Sequence, residues 1–459
     1  MKKTASSPVS TTQSAPPVAL SRQLRAVAQA LQGLRQGRSG TALLESVPAA
    51  LRPGVQALLF QVLRQLGTAQ ALVRQLAPRK PAPAVDALLC VALALCADPE
   101  QQAYAPFTLV NQTVDAAKQE ASTRAQAGFL NACLRRFLRE SVALLEAVQN
   151  DVQARWNHPP WWVQRVRQDH PAHWQQILQA NRQQAPMVLR VNTQKTTLPA
   201  YLQALQAAGI AAQPVGAVGL VLERAVPVQQ LPGFEQGWVS VQDAAAQQAA
   251  PLLLAGLELS RPLRVLDACA APGGKTAHLL EYAGVGAPLH VTALEIDPQR
   301  AQRIHGTLAR LGLQAQVLVA DASRPQDWWS QHAGGALFDA ILLDAPCTAS
   351  GIVRRHPDVP WLRRESDVAQ LAKIQAQLLD TLWPLLQPGG RLLYCTCSVF
   401  RAEGAEQVAA FLARQPGVCH LSSPGHLLPG FAAAGAIVPD NTAGEHDGFF
   451  YALLQKTRA

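Results

Sequence analysis

The spacing of apolar residues first predicts a helical region. From Leu20 to about Asn150 they recur every three or four positions, as at Leu24, Val27 and Leu31, which is typical of amphipathic helices. Proline and glycine interrupt these runs, as expected at helix boundaries. We therefore predict an all-α domain over residues 19–150, with roughly five to seven helices of ordinary length.

Short helical and β-like segments are mixed over residues 151–257. Helices are expected at 161–169 and 198–208, and strands in VLRVN (188–192) and GWVSVQD (237–243). Because side chains alternate between the faces of a strand, we expect Arg190 and Asn192 to differ in burial. The region predicts a small α+β linking module.

From Pro262 onward, β-rich apolar runs alternate with helical segments. The runs are LRVLDA, LHVTALE, QVLVA, FDAILLD and RLLYCT. This alternation predicts an α/β doubly wound parallel sheet over residues 258–459. The last run, 448–454, is expected at the sheet edge or as an antiparallel insertion. In such sheets, ligands bind beyond the carboxyl ends of the strands.

The length of the chain predicts several domains, and its charge predicts an acidic partner. A chain of 459 residues is too long for one ordinary core. Residues 1–150 hold 16 Lys and Arg against 8 Asp and Glu, which favours nucleic acid as the partner of the helical domain. A solvated arginine-rich surface is the alternative. The same alternatives apply to a polar stripe predicted on the last helix of this domain: Arg124, Arg135, Arg136 and Arg139.

Cysteine use and the N-terminus bear on the cellular compartment. Eight cysteines without regular spacing do not resemble a secreted disulfide framework. Residues 1–18 lack the apolar core of a signal peptide and are interpreted as a disordered tail. The longest apolar stretch, 87–97, is too short to span a membrane. We expect a cytoplasmic monomer with reduced thiols, no membrane contact and no metal.

The segment LDACAAPGGKT follows a strand and opens a helix. Its adjacent glycines allow a ligand to approach the backbone, and its spacing matches neither a dinucleotide fingerprint nor a phosphate-binding loop. A nucleoside-type cofactor without a pyrophosphate fits this pattern; a tight turn with a solvated Lys275 is the alternative. The candidate residues are Cys269, Ala270, Ala271, Pro272, Gly273, Gly274 and Lys275.

Acidic residues follow the next two strands. Glu295 is the first candidate for ribose hydroxyls and Asp297 the second, with helix capping before Pro298 as the alternative for Asp297. Arg300 is a further candidate cofactor-binding residue. Asp321 is a candidate for an adenine amino group, and a loop carboxylate without a ligand is its alternative.

Two cysteines end neighbouring predicted strands: Cys347 in FDAILLDAPC and Cys397 in GGRLLYCTCS. Both thiols should face one crevice, where they could perform covalent chemistry. Packing as small apolar residues is the alternative, and the Cys-x-Cys spacing argues against zinc. Asp344 precedes Cys347 and joins the candidate catalytic set. A loop with four arginines follows Cys347 and is a candidate for RNA contact: Arg354, Arg355, Arg363 and Arg364, with His356 and Trp361.

The motifs DACAAPGGKT, LLDAPCTASG and TCS resemble those of the Fmu/Sun-type RNA cytosine-5 methyltransferases, and residues 20–150 are similar to a NusB-like RNA-binding domain. LRVNTQKT and the terminal DGFFYALL also match the family pattern. The resemblance implies a Rossmann-like methyltransferase domain, S-adenosylmethionine as cofactor, and a cytosine of small-subunit (16S) rRNA as substrate. Two positions depart from the family: Glu295 stands where Asp is usual, and Cys395 where Ala is usual.

The family resemblance also implies roles for the two thiols. Carbon 5 of cytosine becomes nucleophilic when a thiolate adds to carbon 6, which splits a difficult step in two. The resemblance assigns the attack to Cys397 and assistance of product release to Cys347; the residues alone permit the reverse. Asp344 could hold or protonate the ring nitrogen. Alternatives are a tRNA cytosine-5 methyltransferase and a non-catalytic RNA-binding assembly or antitermination factor.

Overall fold

A computed structural model describes residues 19–97, 104–332, 334–429 and 446–458. The chain divides into two compact units, Met1–Asn157 and His158–Ala459, so the division falls slightly after the predicted boundary at residue 150. The predicted disordered tail, 1–18, lies outside the described residues. Within the described ranges, no helix is long and apolar enough to cross a membrane.

The first unit is helical, as its apolar spacing predicts. Buried Leu24, Val27 and Leu31 lie on one face of its first helix. The described residues of this unit contain nine α-helices, more than predicted, because three have six residues or fewer and are too short to show a period. The helices are α1 (Leu20–Arg35), α2 (Gly40–Glu45), α3 (Arg52–Arg64), α4 (Leu66–Leu76), α5 (Pro83–Cys96), α6 (Pro106–Lys118), α7 (Ala121–Arg124), α8 (Ala127–Val148) and α9 (Val152–Trp156).

The predicted arginine stripe divides between two helices. Arg124 ends α7 and donates to the carbonyl oxygen of Lys118 at 3.0 Å. Arg135, Arg136 and Arg139 lie on α8 and are exposed. The stripe is therefore shorter than predicted, because the chain turns between α7 and α8.

The second unit begins with a small α+β module. The helices Pro160–Asp169 and Leu198–Ala207 begin and end within a residue of the predicted bounds, and the helix Trp174–Arg182 between them was not predicted. The antiparallel sheet has the order β2-β3-β1-β4; the β2–β3 hairpin was not predicted, because each of its strands has only four residues. The elements are α10 (Pro160–Asp169), α11 (Trp174–Arg182), β1 (Val188–Val191), α12 (Leu198–Ala207), β2 (Ala212–Val215), β3 (Gly219–Leu222) and β4 (Val239–Val241).

The expectation that Arg190 and Asn192 differ in burial is wrong. Residues two apart on an extended chain share a face, and both side chains are buried. Arg190 is paired with Glu281, with 2.9 Å between Nε and Oε2, and Asn192 donates to the carbonyl oxygen of Gly237 at 3.1 Å. Both polar groups are tolerated inside because each has a partner.

The rest of the second unit is built on a seven-stranded sheet in the order β10-β11-β9-β8-β5-β6-β7. Strands β5 to β9 are parallel, which confirms the predicted doubly wound fold, and β11 pairs antiparallel with β9 and β10. The last strand is thus an antiparallel insertion. The edge strand β10 was not predicted, because its sequence contains serine, proline and glycine, which are depleted in strands. The strands are β5 (Leu263–Asp267), β6 (Leu289–Glu295), β7 (Gln316–Val319), β8 (Phe338–Asp344), β9 (Leu386–Thr396), β10 (Val418–Leu427) and β11 (Phe449–Lys456).

Both faces of this sheet are covered. Leu343 and Tyr394 pack in one apolar layer, and their chain neighbours Leu342 and Cys395 pack in the other. The chain winds one way from β5 to β7 and the other way from β8 to β9, so the strand ends open a crevice at the switch point. The helices are α13 (Ala249–Leu254), α14 (Gly274–Ala283), α15 (Pro298–Leu311), α16 (Trp329–His332), α17 (Val359–Leu362), α18 (Glu365–Leu382) and α19 (Ala405–Arg414).

Candidate active site

A cavity of about 770 Å³ opens at the carboxyl ends of the parallel strands. Most of the residues predicted from sequence line it together: Cys269, Ala271, Pro272, Lys275, Glu295, Arg300, Asp321, Asp344, Cys347 and Cys397. Four others lie outside its described lining: Ala270, Gly273, Gly274 and Asp297.

The cofactor loop is residues 269–275, which lead from β5 into the start of α14. Three of its residues, Ala270, Gly273 and Gly274, shape the loop without lining the cavity. Gly273 has a φ of 94°, and a Cβ atom there would lie 3.1 Å from the Cα of Ile304. Only glycine fits both the backbone angle and the close approach to α15. Ala270 is buried in the same layer, and the carbonyl oxygen of Gly274 accepts from Arg190 at 2.9 Å. The loop is therefore held from within the fold.

Two carboxylates that line the cavity, those of Glu295 and Asp321, each have one oxygen without a hydrogen-bond partner among the described residues. The Oε1 atom of buried Glu295 accepts from the Asp297 amide at 3.1 Å and lies 3.4 Å from Arg300. The Oδ1 atom of Asp321 accepts from the amide and hydroxyl of Ser323, at 2.9 and 2.7 Å. The second oxygen of each is available for a ligand hydroxyl or amino group.

Asp297 adopts the alternative role considered from sequence. Its Oδ1 atom accepts from the amides of Gln299 and Arg300, at 2.7 and 3.0 Å, and so caps α15. The N-cap position before a first-turn proline favours this arrangement. The Asp297 side chain therefore stabilises the N-terminus of α15.

The two predicted thiols lie against each other. Cys347 follows β8, Cys397 follows β9, and their sulfur atoms are 3.4 Å apart. The parallel ladder continues beyond the strands, since the Ala345 amide donates to the Cys395 carbonyl oxygen at 2.9 Å. The Gly351 amide likewise donates to the Cys397 carbonyl oxygen at 2.9 Å. Within the described ranges, no group of three His, Cys, Asp or Glu side chains could hold a metal ion.

The surroundings of the two thiols differ in charge. The hydrogen bond with Cys397 and burial raise the pKa of Cys347 well above its usual value, and the nearby Glu403 carboxylate adds to the effect. On the other side, Lys275 interacts electrostatically with Cys397. Cys347 therefore favours the protonated form.

Asp344 and Lys275 form an ion pair beside the thiols, with 2.7 Å between Nζ and Oδ2. Burial opposes the charge on Lys275, but Asp344 reverses the balance and raises the pKa of the ammonium group. The thiol of Cys395 lies 3.5 Å from Asp344 Oδ1, and the ring of Phe449 lies 5.3 Å from Nζ. Both oxygens of Asp344 thus have partners.

Glu403 is the main site residue that sequence reasoning missed. It is buried in the turn that precedes α19, which begins at Ala405. It accepts from the Thr348 amide at 2.9 Å and from the Ser398 hydroxyl at 2.6 Å. No local pattern predicts this role, because Thr348 is 55 residues away in sequence, although Ser398 is only five residues away.

Three of the four loop arginines that are candidates for RNA contact are bound within the protein. Arg354 and Arg355 pair with Asp447, and Arg355 also pairs with Asp243 at 2.8 Å. Arg363 donates to the carbonyl oxygens of Thr348 and Cys347, at 3.1 and 3.2 Å. These arginines hold the loop that follows Cys347. The remaining polar members differ: Arg364 and His356 are exposed, and His356 lines the cavity.

The chain is similar to known RNA methyltransferases. Residues 255–455 match a family model described as 16S rRNA methyltransferase RsmB/F, and residues 158–229 match its ferredoxin-like domain. Ribosomal RNA small subunit methyltransferase B of Vibrio cholerae is 41% identical over 91% of this chain and 94% of the relative. The protein of that name from Sodalis glossinidius is 42% identical over 95% and 97%. A solved methyltransferase homologue from Pyrococcus horikoshii is 25% identical, with a TM-score of 0.53, over 66% of this chain and 97% of its own.

Proposed function

The chain belongs to the RsmB/F family of 16S rRNA methyltransferases, and we propose that it methylates carbon 5 of a cytosine through a covalent bond to Cys397. The observation that carries this proposal is the contact between Cys347 and Cys397, whose sulfur atoms are 3.4 Å apart. Both thiols line the cavity that also contains the cofactor loop. A cytosine that enters this cavity must leave its base stack, as in other base-modifying enzymes.

The cavity fits S-adenosylmethionine, the cofactor of this family. The free carboxylate oxygen of Glu295 suits ribose hydroxyls, and that of Asp321 suits an amino group. Ile296 and Leu378 provide apolar walls for a base. Because S-adenosylmethionine has no phosphate group, the loop around Gly273 does not need to bind one. When bound, S-adenosylmethionine supplies the electrophilic methyl group.

In the proposed first step, the Cys397 thiolate attacks carbon 6 of the cytosine. A carbon–sulfur bond forms, and the electron pair of the carbon 5–carbon 6 double bond becomes available at carbon 5 for methylation. Lys275 favours the thiolate electrostatically, and the Cys347 thiol donates a hydrogen bond to it. Asp344 would hold or protonate the ring nitrogen as charge develops there.

In the proposed second step, Cys347 removes the proton from carbon 5. Once Cys397 is a neutral thioether, its charge no longer raises the pKa of Cys347, so that pKa falls although the Glu403 carboxylate remains nearby, and the thiol can lose its proton to water. The electron pair of the carbon–hydrogen bond then restores the ring double bond and expels the Cys397 thiolate. Each stage places one negative charge on the thiol pair.

The same proposal covers the cellular setting. Its support is a basic N-terminal region and eight free cysteines, which suit an intracellular RNA-binding protein. We propose a cytoplasmic monomer whose helical first unit binds rRNA through exposed arginines, including those of α8.

The experiment combines methyl-labelled S-adenosylmethionine with unmodified 16S rRNA, assembled small subunits or tRNA. We expect 5-methylcytosine in 16S rRNA with the wild type. Cys397→Ala should lower the rate by at least about 10³-fold, as removal of a nucleophile does. Cys419→Ser is the matched control, because Cys419 is exposed on the edge strand, and it should remain fully active.

Other outcomes of this experiment overturn the proposal. Label on tRNA alone would indicate a tRNA cytosine-5 methyltransferase. Binding of cofactor and RNA without transfer would indicate a non-catalytic assembly or antitermination factor. Full activity in Cys397→Ala would exclude the covalent role of that thiol.

A further inference from the structure

One buried carboxylate joins the two loops that carry the thiols. Glu403 Oε1 accepts from the Thr348 amide at 2.9 Å and from Gln375 Nε2 at 3.3 Å. Its Oε2 atom accepts from the Ser398 hydroxyl at 2.6 Å and from the Thr348 hydroxyl. Thr348 directly follows Cys347, and Ser398 directly follows Cys397. A single side chain therefore connects both strand-end loops.

The hydroxyl network indicates that Glu403 is ionised. The Ser350 hydroxyl accepts from the Val399 amide at 2.9 Å, so its hydrogen is free to donate to Ser398 at 2.8 Å. The Ser398 hydrogen is then directed at Glu403. Burial raises the pKa of Glu403, but the donors from Ser398 and Thr348 oppose that shift. Four donors around two oxygens fit a carboxylate, which can only accept.

The backbone of Glu403 is fixed as firmly as its side chain. Its carbonyl oxygen accepts from the Tyr394 hydroxyl at 2.8 Å and from the Thr396 hydroxyl at 3.2 Å. Gln375 also donates to the carbonyl oxygen of Pro346, just before Cys347, at 2.9 Å. Donors from β9 and α18 therefore hold the carboxylate in place.

We propose that Glu403 is a positioning residue for the thiol pair, which fixes Cys347 against Cys397 and selects Cys397 as the thiol that reacts first. Its carboxylate is bound to Thr348, the residue after Cys347, and its negative charge disfavours a thiolate at Cys347. The titratable groups that face Glu403 are Cys347 and Tyr394. The importance for turnover of the order in which Cys397 and Cys347 react rests on the proposed function.

The test compares the alkylation rates of the thiols by iodoacetamide, between pH 6 and 9, in the full-length protein. Peptide mass spectrometry resolves Cys347 from Cys397, and exposed Cys419 is the internal reference. In the wild type, Cys397 should react at least about tenfold faster than Cys347, because alkylation follows the thiolate fraction. Glu403→Gln keeps the size of the side chain and removes its charge, and should lower this ratio by about threefold.

Matched variants separate this role from a general loss of structure. Glu406→Gln makes the same change at an exposed position in the first turn of α19, and should keep the wild-type ratio. Glu403→Asp keeps the charge but withdraws it from both loops, and should give a ratio between those of the wild type and Glu403→Gln. Thermal unfolding identifies folded variants. If Glu403→Gln does not fold, the ratio of the Cys397 and Cys347 alkylation rates in Glu403→Asp tests the proposal instead.

An unchanged ratio in folded Glu403→Gln, or in Glu403→Asp if only that variant folds, would overturn the proposal. Faster alkylation of Cys347 than of Cys397 in the wild type would also overturn it. The measurement uses no RNA. A wild type that fails to methylate 16S rRNA but shows the expected ratios would therefore contradict the proposed function alone.

Discussion

The two sides of the crevice satisfy their polar groups in opposite ways. On the thiol side, formed by Cys347, Cys397 and the loops that follow them, nearly every buried polar group is bound within the protein. On the carboxylate side, formed by Glu295 and Asp321, each side chain keeps one oxygen free among the described residues. A reacting pair needs fixed atoms, whereas a binding wall needs acceptors that a ligand can use. The contrast separates residues that perform chemistry from residues that hold a ligand.

The thiol side should be the more sensitive to loss of a buried charge. Asp447→Asn would leave Arg354 and Arg355 without their shared partner, and Asp447 is fully buried. We expect the free energy of unfolding to fall by about 3 kcal/mol, as when one member of a buried ion pair is removed. Urea denaturation measures this change.

A surface pair provides the control for that variant. Arg414 pairs with Asp380 at 2.8 Å, but both side chains are substantially exposed. Arg414→Ala should therefore cost less than about 1 kcal/mol. Equal losses of unfolding free energy in Asp447→Asn and Arg414→Ala would contradict the inference that the buried ion pairs of Asp447 stabilise the thiol side.

The carboxylate side should affect cofactor binding more than stability. Glu295→Gln removes the charge of a buried acceptor, and we expect the Kd for S-adenosylmethionine to rise about tenfold. Asp297→Asn is the control, because Asp297 caps α15 and lies outside the described cavity lining. Its Kd should stay within about twofold of the wild-type value. Calorimetric titration distinguishes the two, and a larger effect at Asp297 would reverse their roles.

An effect of pH on stability is expected at Asp267, on the end of β5. Burial raises the pKa of Asp267 to about 7, although the Thr276 hydroxyl donates to it at 2.6 Å. Between pH 4 and 7 the unfolded chain is ionised at this position while the folded chain keeps the proton. Stability therefore falls as pH rises through that window and levels off above it, by about 1 kcal/mol per pH unit.

The variant Asp267→Asn removes this titration. Unfolding free energies measured from pH 4 to 8 should thus fall more steeply with pH in the wild type than in the variant. Parallel curves for the two proteins would show that Asp267 does not take up a proton on folding.

Local patterns predicted the features that depend on neighbours in sequence. Apolar runs that end in Asp344 and Thr396 specify parallel strands, and strand ends meet at one edge, so the contact between Cys347 and Cys397 was accessible from sequence. The partners of Arg355, Asp243 and Asp447, were not predicted, because only the fold brings them to it.

Other features were missed for related physical reasons. Glu403 carries no local signal of its role, since Thr348 is 55 residues away in sequence and reaches it only through the fold. The edge strand β10 has a composition that disfavours strands, and pairing with β11 overrides that preference. Long-range partners, which periodicity does not contain, decide each of these cases.

The most direct test of the central claim is to trap the bond between protein and RNA. Wild type, Cys347→Ala and Cys397→Ala are incubated with S-adenosylmethionine and 16S rRNA, then separated under denaturing conditions. We predict that Cys347→Ala accumulates a denaturation-resistant adduct, because its methylated cytosine cannot be released, and that Cys397→Ala forms none. An adduct in Cys397→Ala and none in Cys347→Ala would show that the two thiols have the opposite roles.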